Sequence, residues 1–427
     1  MTGNDTNSAK GGNRYKSLQE EALALHEQWR GKLSIDSKVP VDDKHALAIA
    51  YTPGVAEPCR RIAADPALVD TYTGRWNTVA VVSDGSAVLG LGNIGARAAL
   101  PVMEGKSVLF KAFGAVDAFP ICIASQEADD IVRTVKLLEP SFGGINLEDI
   151  SAPTCFEVER RLIEECDIPV FHDDQHGTAV VVLAAAMNSC KVTGRSLEDL
   201  KIVINGAGAA GIAIARMFKS MGVREIMLCD TKGIIGSHRG DLSPVKQEVS
   251  GWTNTACRQG DLAAAMEGAN LFVGVSVKDA VTKAMVAAMD KDPIVLAMAN
   301  PDPEILPDDA RAAGAAVVAT GRSDFPNQVN NVLGFPGIFR GALDVRASVI
   351  NLEMKVAAAR ALAGLVGKDL GAGCIIPEAF DPRVAPAVAA AVAGAAVESG
   401  VARQPKSPEE VAASTRRMLG NEGWRCG

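Results

Sequence analysis

Two pairs of adjacent acids, Glu148–Asp149 in GGINLEDISAP and Asp173–Asp174 in VFHDDQHGTA, each follow an apolar run. In a parallel sheet the strand ends collect at one edge. Carboxylates about 25 positions apart in sequence can therefore converge there and offer hard oxygen ligands to Mg²⁺ or Mn²⁺. Any one of these acids could instead cap a helix or sit in a solvated loop; it is their joint arrangement that points to a cation. His172 and His176 flank the second pair. Adjacent carboxylates suit a hard cation better than zinc, so each His reads either as a core group or as one that orients a ligand.

A second constellation lies in KIVINGAGAAGIAIA, where Gly206, Gly208 and Gly211 have GxGxxG spacing directly after an apolar run and before a helical one. Glycines there permit a tight turn and close backbone approach, and the helix start offers N–H groups and a positive dipole to a pyrophosphate. Asp230, roughly 20 residues further on, ends EIMLCD where an acid can accept from an adenine-ribose hydroxyl. Asp230 favours a free 2′-hydroxyl, whereas nearby Lys232, His238 and Arg239 could neutralise a 2′-phosphate, so NAD and NADP both stay open.

Two further residues could move protons. Tyr51, in LAIAYTPGVAEPCRR, is one of three Tyr in the chain. A phenol can donate a proton if its surroundings adjust its pKa, and a Tyr before a Pro-Gly turn is otherwise a packing residue. Lys106, in PVMEGKSVLF, either faces water or, beside a divalent metal, loses its proton and acts as a base.

The elements that must position these groups follow an α/β pattern. IVRTVKLL, CFEVERRLIEE, IPVFHDD and TAVVVLAAAM alternate β-branched runs with helical ones. KIVING, GIAIARMFKS, EIMLCD, LFVGVS, VTKAMVAAM, IVLAMANP and AVVAT form a second such series, which predicts a parallel sheet covered by helices. The implied order is a frayed terminus at 1–14, an α/β domain at 15–166, a second at 167–400 and a polar tail at 401–427, with the junction within 167–193. Helices over 345–399 are expected on the second sheet, and Ser407 is placed to cap a last short helix.

Composition sets the outer limits. With 427 residues, 48% hydrophobic and 22% charged, the chain is globular and large enough for two or three domains. Its net charge of -8 and lack of a basic patch argue against nucleic acid or anionic membrane as partner. The longest apolar stretches, 179–187 and 384–397, fall short of the roughly 18–20 residues of a membrane helix. The polar start lacks the apolar segment of a secretory signal, so a cytoplasmic protein is expected. Nine Cys with no CxxC pair suggest reduced core residues rather than disulfides or a zinc knuckle.

Taken together, YTPGVAEPC, VVSDGSAVLGLGNIGARAALPVMEGK, INLEDISAP, FHDDQHGTA, INGAGAAG, MANPDPE and QVNNVLGFPG resemble, in order, the motifs of the malic enzymes, specifically their short bacterial-type branch. The resemblance spans about residues 15 to 400. It implies an N-terminal α/β substrate and metal domain followed by a Rossmann-type, doubly wound NAD(P) domain. The implied reaction is metal-dependent oxidative decarboxylation of L-malate to pyruvate and CO₂ by a homodimer, with NAD or NADP as oxidant. The family's tyrosine acid falls on Tyr51, its lysine base on Lys106 and its metal carboxylates on Glu148, Asp149 and Asp174. Asp173 matches the acid that orients the lysine. Thr178, Gly206, Gly208, Ala209, Ala210, Gly211, Asp230, Lys232 and Asn300 fall on cofactor positions, and Asn331 on a substrate position. Where larger members carry a substrate-gripping arginine, this chain has Ala87; Lys111, in VLFKAF, either supplies the missing charge or is solvated. A malolactic-type decarboxylase that keeps its dinucleotide bound would show nearly the same motifs, and a binding-only relative would have lost the base or a metal acid.

Overall fold

The computed structural model describes residues 17–88 and 90–420; the stretch 1–14, read above as frayed, lies outside them. Two parallel sheets organise the chain. The first contains β1 (Thr78–Ser83), β2 (Asp117–Cys122), β3 (Gly144–Leu147) and β4 (Val170–His172) in the order β2-β1-β3-β4. Its two inner strands, β1 and β3, are almost wholly buried, as expected of parallel strands covered on both faces.

The second sheet has β5 (Lys201–Asn205), β6 (Glu225–Asp230), β7 (Gly233–Ile234), β8 (Leu271–Gly274), β9 (Ile294–Ala297) and β10 (Val317–Thr320). Their order is β10-β9-β8-β5-β6-β7, parallel except for the short β6–β7 pairing. Strand order reverses between β5 and β8, the place where an open α/β sheet forms a ligand crevice beyond its strand ends.

One helix connects the sheets. Asp173–Thr193 starts at the end of β4, and fourteen of its residues are buried. A helix that is apolar nearly all round has to be covered on every side. It packs against Ala209–Ser220 of the second unit and against Leu352–Val366.

Two expectations are corrected here. IVRTVKLL is not a strand but part of the helix Ala128–Leu138, whose buried Ile131, Val132 and Val135 form one helical face. The C-terminal helices Leu352–Val366 and Val384–Glu398 do not cover the second sheet as their main contact. They pack on each other, on Asp173–Thr193 and on Phe335–Asp344. The second sheet already has covers: Ala209–Ser220 on one face, and on the other a separate apolar cluster that includes Ala265, Met266, Val286 and Ala310. The last helix, Pro408–Gly420, begins with Ser407 accepting from the Glu410 N–H while Glu410 accepts from the Ser407 N–H, a reciprocal cap.

Phe335–Asp344, buried at all ten positions, returns the late chain to the first sheet. Phe335 and Phe339 pack against Phe110, and Phe339 also meets Phe171. Arg340 is fully buried and paired with Asp344 at 2.7 Å. On its other side the helix approaches Val384–Glu398 so closely that a Cβ on Gly341 would lie 2.4 Å from the Ala389 carbonyl oxygen. Gly341→Ala should therefore lower stability by about 1–3 kcal/mol through overpacking, read as a reduced urea midpoint; an unchanged midpoint would show that the two helices can separate freely.

Candidate active site

Register decides which side chains meet at the edge of the first sheet. Val82 pairs with Leu147, and Leu147 with His172. The residues that follow these strands, Asp84 after β1, Glu148 and Asp149 after β3, and Asp173 and Asp174 after β4, therefore emerge side by side. Glu148, Asp149 and Asp174 each present an oxygen within 4.8 Å of the others. Asp149 has a left-handed backbone (φ 54°), and its N–H donates to Asp174 at 2.8 Å.

Lys106 reaches this edge from the helix Ala96–Gly114. Its Nζ lies 2.7 Å from Asp173 and 2.8 Å from Glu148, and 4.3 Å from the centre of the Phe335 ring. Burial alone disfavours an ammonium, yet Asp173, Glu148 and Asp174 outweigh it and push Lys106 well above its ordinary value. The same burial, with acidic neighbours, raises the carboxyl of Glu148 and brings that of Asp149 up to about 7. Asp173 is fully buried and also accepts from Asn331. Room for its carboxylate comes from Gly177, where a Cβ would lie 1.9 Å from Oδ1.

Five carboxylates and one ammonium thus share this largely buried edge. Asp84 Oδ2, Asp149 Oδ2 and Asp173 Oδ1 are buried there without a hydrogen-bond partner among the described residues. Unpartnered, mutually repelling carboxylate oxygens are the donor set that a hard divalent cation stabilises, so the residues present fit Mg²⁺ or Mn²⁺.

Behind the acids, Glu159 accepts from His176 Nε2 at 2.8 Å, Gln175 at 3.1 Å and the His172 N–H at 3.2 Å. It thereby holds the turn that carries Asp173 and Asp174. Burial opposes the Glu159 charge, but His176 and Lys355 bring its carboxyl down to about 2. The two histidines read as core or orienting groups thus divide: His176 orients, whereas the His172 ring is buried, and its nitrogens make no hydrogen bond among the described residues.

A cleft of about 1820 Å³ opens over this edge and runs between the two sheets. Its lining takes in Lys106, Glu148, Asp149, Asp174, Thr178, Ala210, Asn300 and Asn331 of the sequence candidates. At the strand-order reversal, a Cβ on Gly206 would sit 2.4 Å from the Val275 carbonyl oxygen and one on Gly211 1.9 Å from that of Gly206. Only glycine allows so tight a strand-to-helix turn. Gly206, Gly208, Ala209, Gly211, Asp230 and Lys232 lie on this nucleotide side, beyond the cleft lining itself.

Two candidates are not brought in. Lys111 lies on a helix rather than the expected strand, is mostly exposed, pairs with Asp117 at 2.7 Å and does not line the cleft of its own chain. Tyr51 is 68% exposed and also outside the lining. Its neighbours Leu47, Ile49 and Val55 are exposed too, and no residue of Lys44–Ala50 or Ala56–Ala64 is buried. Conversely, Ser86 and Asn330 line the cleft, and Asp84, Glu159 and Glu304 support it, without having been singled out. For Asp84 and Ser86 the available signal was their place directly after β1, at the edge where the acid pairs emerge.

Residues 30–163 match the family described as "Malic enzyme, N-terminal domain", and residues 175–397 match "Malic enzyme, NAD binding domain". The chain is 60% identical over 404 residues to the bifunctional malic/malolactic enzyme of Bacillus subtilis, covering 94% of this chain and 98% of that one. It is 51% identical over 408 residues to an NADP-dependent malic enzyme of Rhizobium meliloti, covering 90% of this chain but 53% of the longer relative. Among solved structures, malic enzyme from Pyrococcus horikoshii superposes with a TM-score of 0.92 at 46% identity, covering 95% and 96% of the two chains.

A carboxyl raised to about 7 ties cation binding to pH. Below that value Asp149 holds a proton that a cation must displace; above it the oxygens are free. Mn²⁺ affinity, followed by electron spin resonance of the free ion, should weaken steadily from pH 8 to pH 6, and Asp149→Asn should flatten the profile. A wild-type affinity that stays constant over that range would show that Asp149 is already ionised at pH 6, and an Asp149→Asn affinity equal to wild type at pH 8 would show that it is not a ligand.

Proposed function

The chain belongs to the malic enzyme family, whose reaction is oxidative decarboxylation of malate with NAD(P), and on that premise we propose how its own residues carry that reaction. The observation that supports the assignment is the buried Lys106 ammonium, held between Asp173 and Glu148 in a cleft that also runs to the dinucleotide turn. Glu148, Asp149 and Asp174 would hold Mg²⁺ or Mn²⁺. The dinucleotide would supply the hydride acceptor, and the cation would supply a Lewis acid and relieve Lys106 of part of the carboxylate field that keeps it protonated.

The remaining work falls to side chains. Neutral Lys106 accepts the proton of the C2 hydroxyl as hydride is lost, and Asp173, fixed by Asn331, keeps its amine aimed at that hydroxyl. Asn300 and Asn331, whose amides both donate and accept, flank the nicotinamide and malate positions. Among the polar side chains that line the cleft, Ser86, Asn330 and Asn331 offer hydrogen bonds to the second malate carboxylate. Once CO₂ has left, a phenol protonates C3 of the enol. Tyr51 suits that role only if it enters the cleft of a second copy, and the exposed apolar surface around it is what such a contact would cover.

The 60% identical relative is named for malolactic activity as well, which favours one second reading: dinucleotide retained and lactate released. Incubating the protein with L-malate, Mn²⁺ and NAD or NADP should give reduced nicotinamide and pyruvate in equal amounts. Lactate without net reduced nicotinamide would establish the malolactic route, and no product of either kind would leave a binding protein. Lys106→Ala should lower kcat roughly 10²- to 10⁴-fold. If two copies share each site, mixing inactive Lys106→Ala and Tyr51→Phe subunits should restore part of the activity; no recovery in verified hybrids would show that both residues act within one chain, and full activity of Tyr51→Phe alone would place Tyr51 outside the chemistry.

A further inference from the structure

We infer that Lys32 is the residue that receives the second carboxylate of the substrate, so that this chain selects a 2-hydroxy dicarboxylate over a 2-hydroxy monocarboxylate. The inference rests on the malate reading proposed above and deepens it by naming the group that sets the substrate class.

Malate brings two negative charges to an edge already crowded with them. A divalent ion and Lys106 are both committed to the carboxylate and hydroxyl end of the molecule, where hydride leaves. For the far carboxylate, Ser86, Asn330 and Asn331 offer hydrogen bonds but no charge, and Ala87, which also lines the cleft, offers neither. A carboxylate taken out of water beside other acids requires a counter-charge. Among the described residues the cleft is lined by three lysines, Lys32, Lys106 and Lys278, and by no arginine. Lys278 follows β8 shortly past Val275, whose carbonyl packs against the Gly206 turn, and so belongs to the nucleotide side. Lys32 is the cation that remains.

The chain is folded to put it there. The helix Leu18–Trp29 ends at Arg30 with φ 56°, and Gly31 follows with φ 114°. Two positive angles in succession turn the backbone back, and the second is one that residues with a Cβ rarely adopt. Lys32 thereby lands on the helix Ala96–Gly114, where its N–H donates to Glu104 Oε2 at 3.1 Å and its ammonium to the Pro101 carbonyl at 2.6 Å. A Cβ on Gly105 would lie 3.7 Å from that nitrogen, so the residue just before Lys106 leaves the helix surface open for it. Pro101, Gly105 and Val108 form one stripe of this helix and Val102, Lys106 and Leu109 the next, and all six line the cleft. The two lysines thus enter the cleft over adjacent stripes of one helix.

Their charges are in different states. Lys106 is held between Asp173 and Glu148, whereas Lys32 is half-buried, pairs with no carboxylate among the described residues and spends one of its three donors on Pro101. The other two are available to an incoming carboxylate oxygen. Such a charge-assisted hydrogen bond strengthens binding by roughly 10- to 100-fold.

Oxalate supplies the control, because it chelates a divalent ion through adjacent oxygens, as the C1 and C2 end of malate does, yet has no distant carboxylate. In calorimetric titrations of the full chain with Mn²⁺ and without dinucleotide, Lys32→Met should weaken L-malate roughly 10- to 100-fold and oxalate by about threefold or less. Lys32→Arg, which keeps the charge, should recover most of the malate affinity. The readout is a ratio between two ligands, so a general loss of folded protein does not produce it. Equal weakening of both ligands would assign Lys32 to holding its segment on the helix, and unchanged malate affinity would leave it in solvent; either result overturns the inference. Both leave the family reaction standing as long as the wild type oxidises malate with NAD or NADP. If the wild type neither binds nor oxidises malate, the inference falls together with the malate reading.

Discussion

The ion pair between Lys106 and Asp173 is the contact on which the rest of the site depends. It links a helix that precedes β2 to the first turn of the helix that follows β4, two places separated by 67 positions in sequence. Neither charge is stable alone in such a dry place, because an unpaired buried ion costs several kcal/mol. Each therefore requires the other, and the two helices must dock in one relative position. Glu148 shares the ammonium, so the end of β3 is drawn into the same arrangement.

The backbone carries this constraint outward. Asp173 opens the Asp173–Thr193 helix, whose buried body lies against both α/β units. The helix that orients the lysine's partner is thus also the wall between substrate side and nucleotide side. Phe335–Asp344 adds a second tie, since it arrives from the second unit and packs its phenylalanines on Phe110 and Phe171 of the first. Phe335 itself lies against the Lys106 ammonium. Docking of the late chain on the first sheet and exclusion of water from the lysine are therefore one event.

On the nucleotide side the supporting device is a single buried acid. Glu304 accepts from the backbone N–H groups of Ser276 and Ala299, at 2.9 and 3.0 Å. Ser276, Ala299 and the adjacent Asn300 all line the cleft. One carboxylate thereby holds the loops after β8 and β9 at a fixed separation. Glu159 does comparable work beneath Asp173 and Asp174, which leaves the two reacting halves facing each other across rigid walls. Such rigidity is what lets a few side chains hold a proton acceptor at one place.

Much of this was legible in the residues. The strands, the glycine turn, the helix cap at Ser407 and the two acid pairs are local features, fixed by hydrophobic period, backbone freedom and neighbouring polar groups. Because parallel strands end at a common edge, even the meeting of Glu148, Asp149 and Asp174 could be anticipated from order along the chain. What sequence alone left open were distances between distant segments. Whether Lys106 would be buried or solvated and whether Lys111 would line the cleft or pair with Asp117 both turn on a few ångströms between separate elements. IVRTVKLL was misread for the related reason that a short β-branched run fits a strand or a helical face until packing selects one. Sequence therefore determined the chemical groups and their sheet edge. Tertiary packing decided their partners, because the charge state and reach of a side chain depend on what folding places beside it.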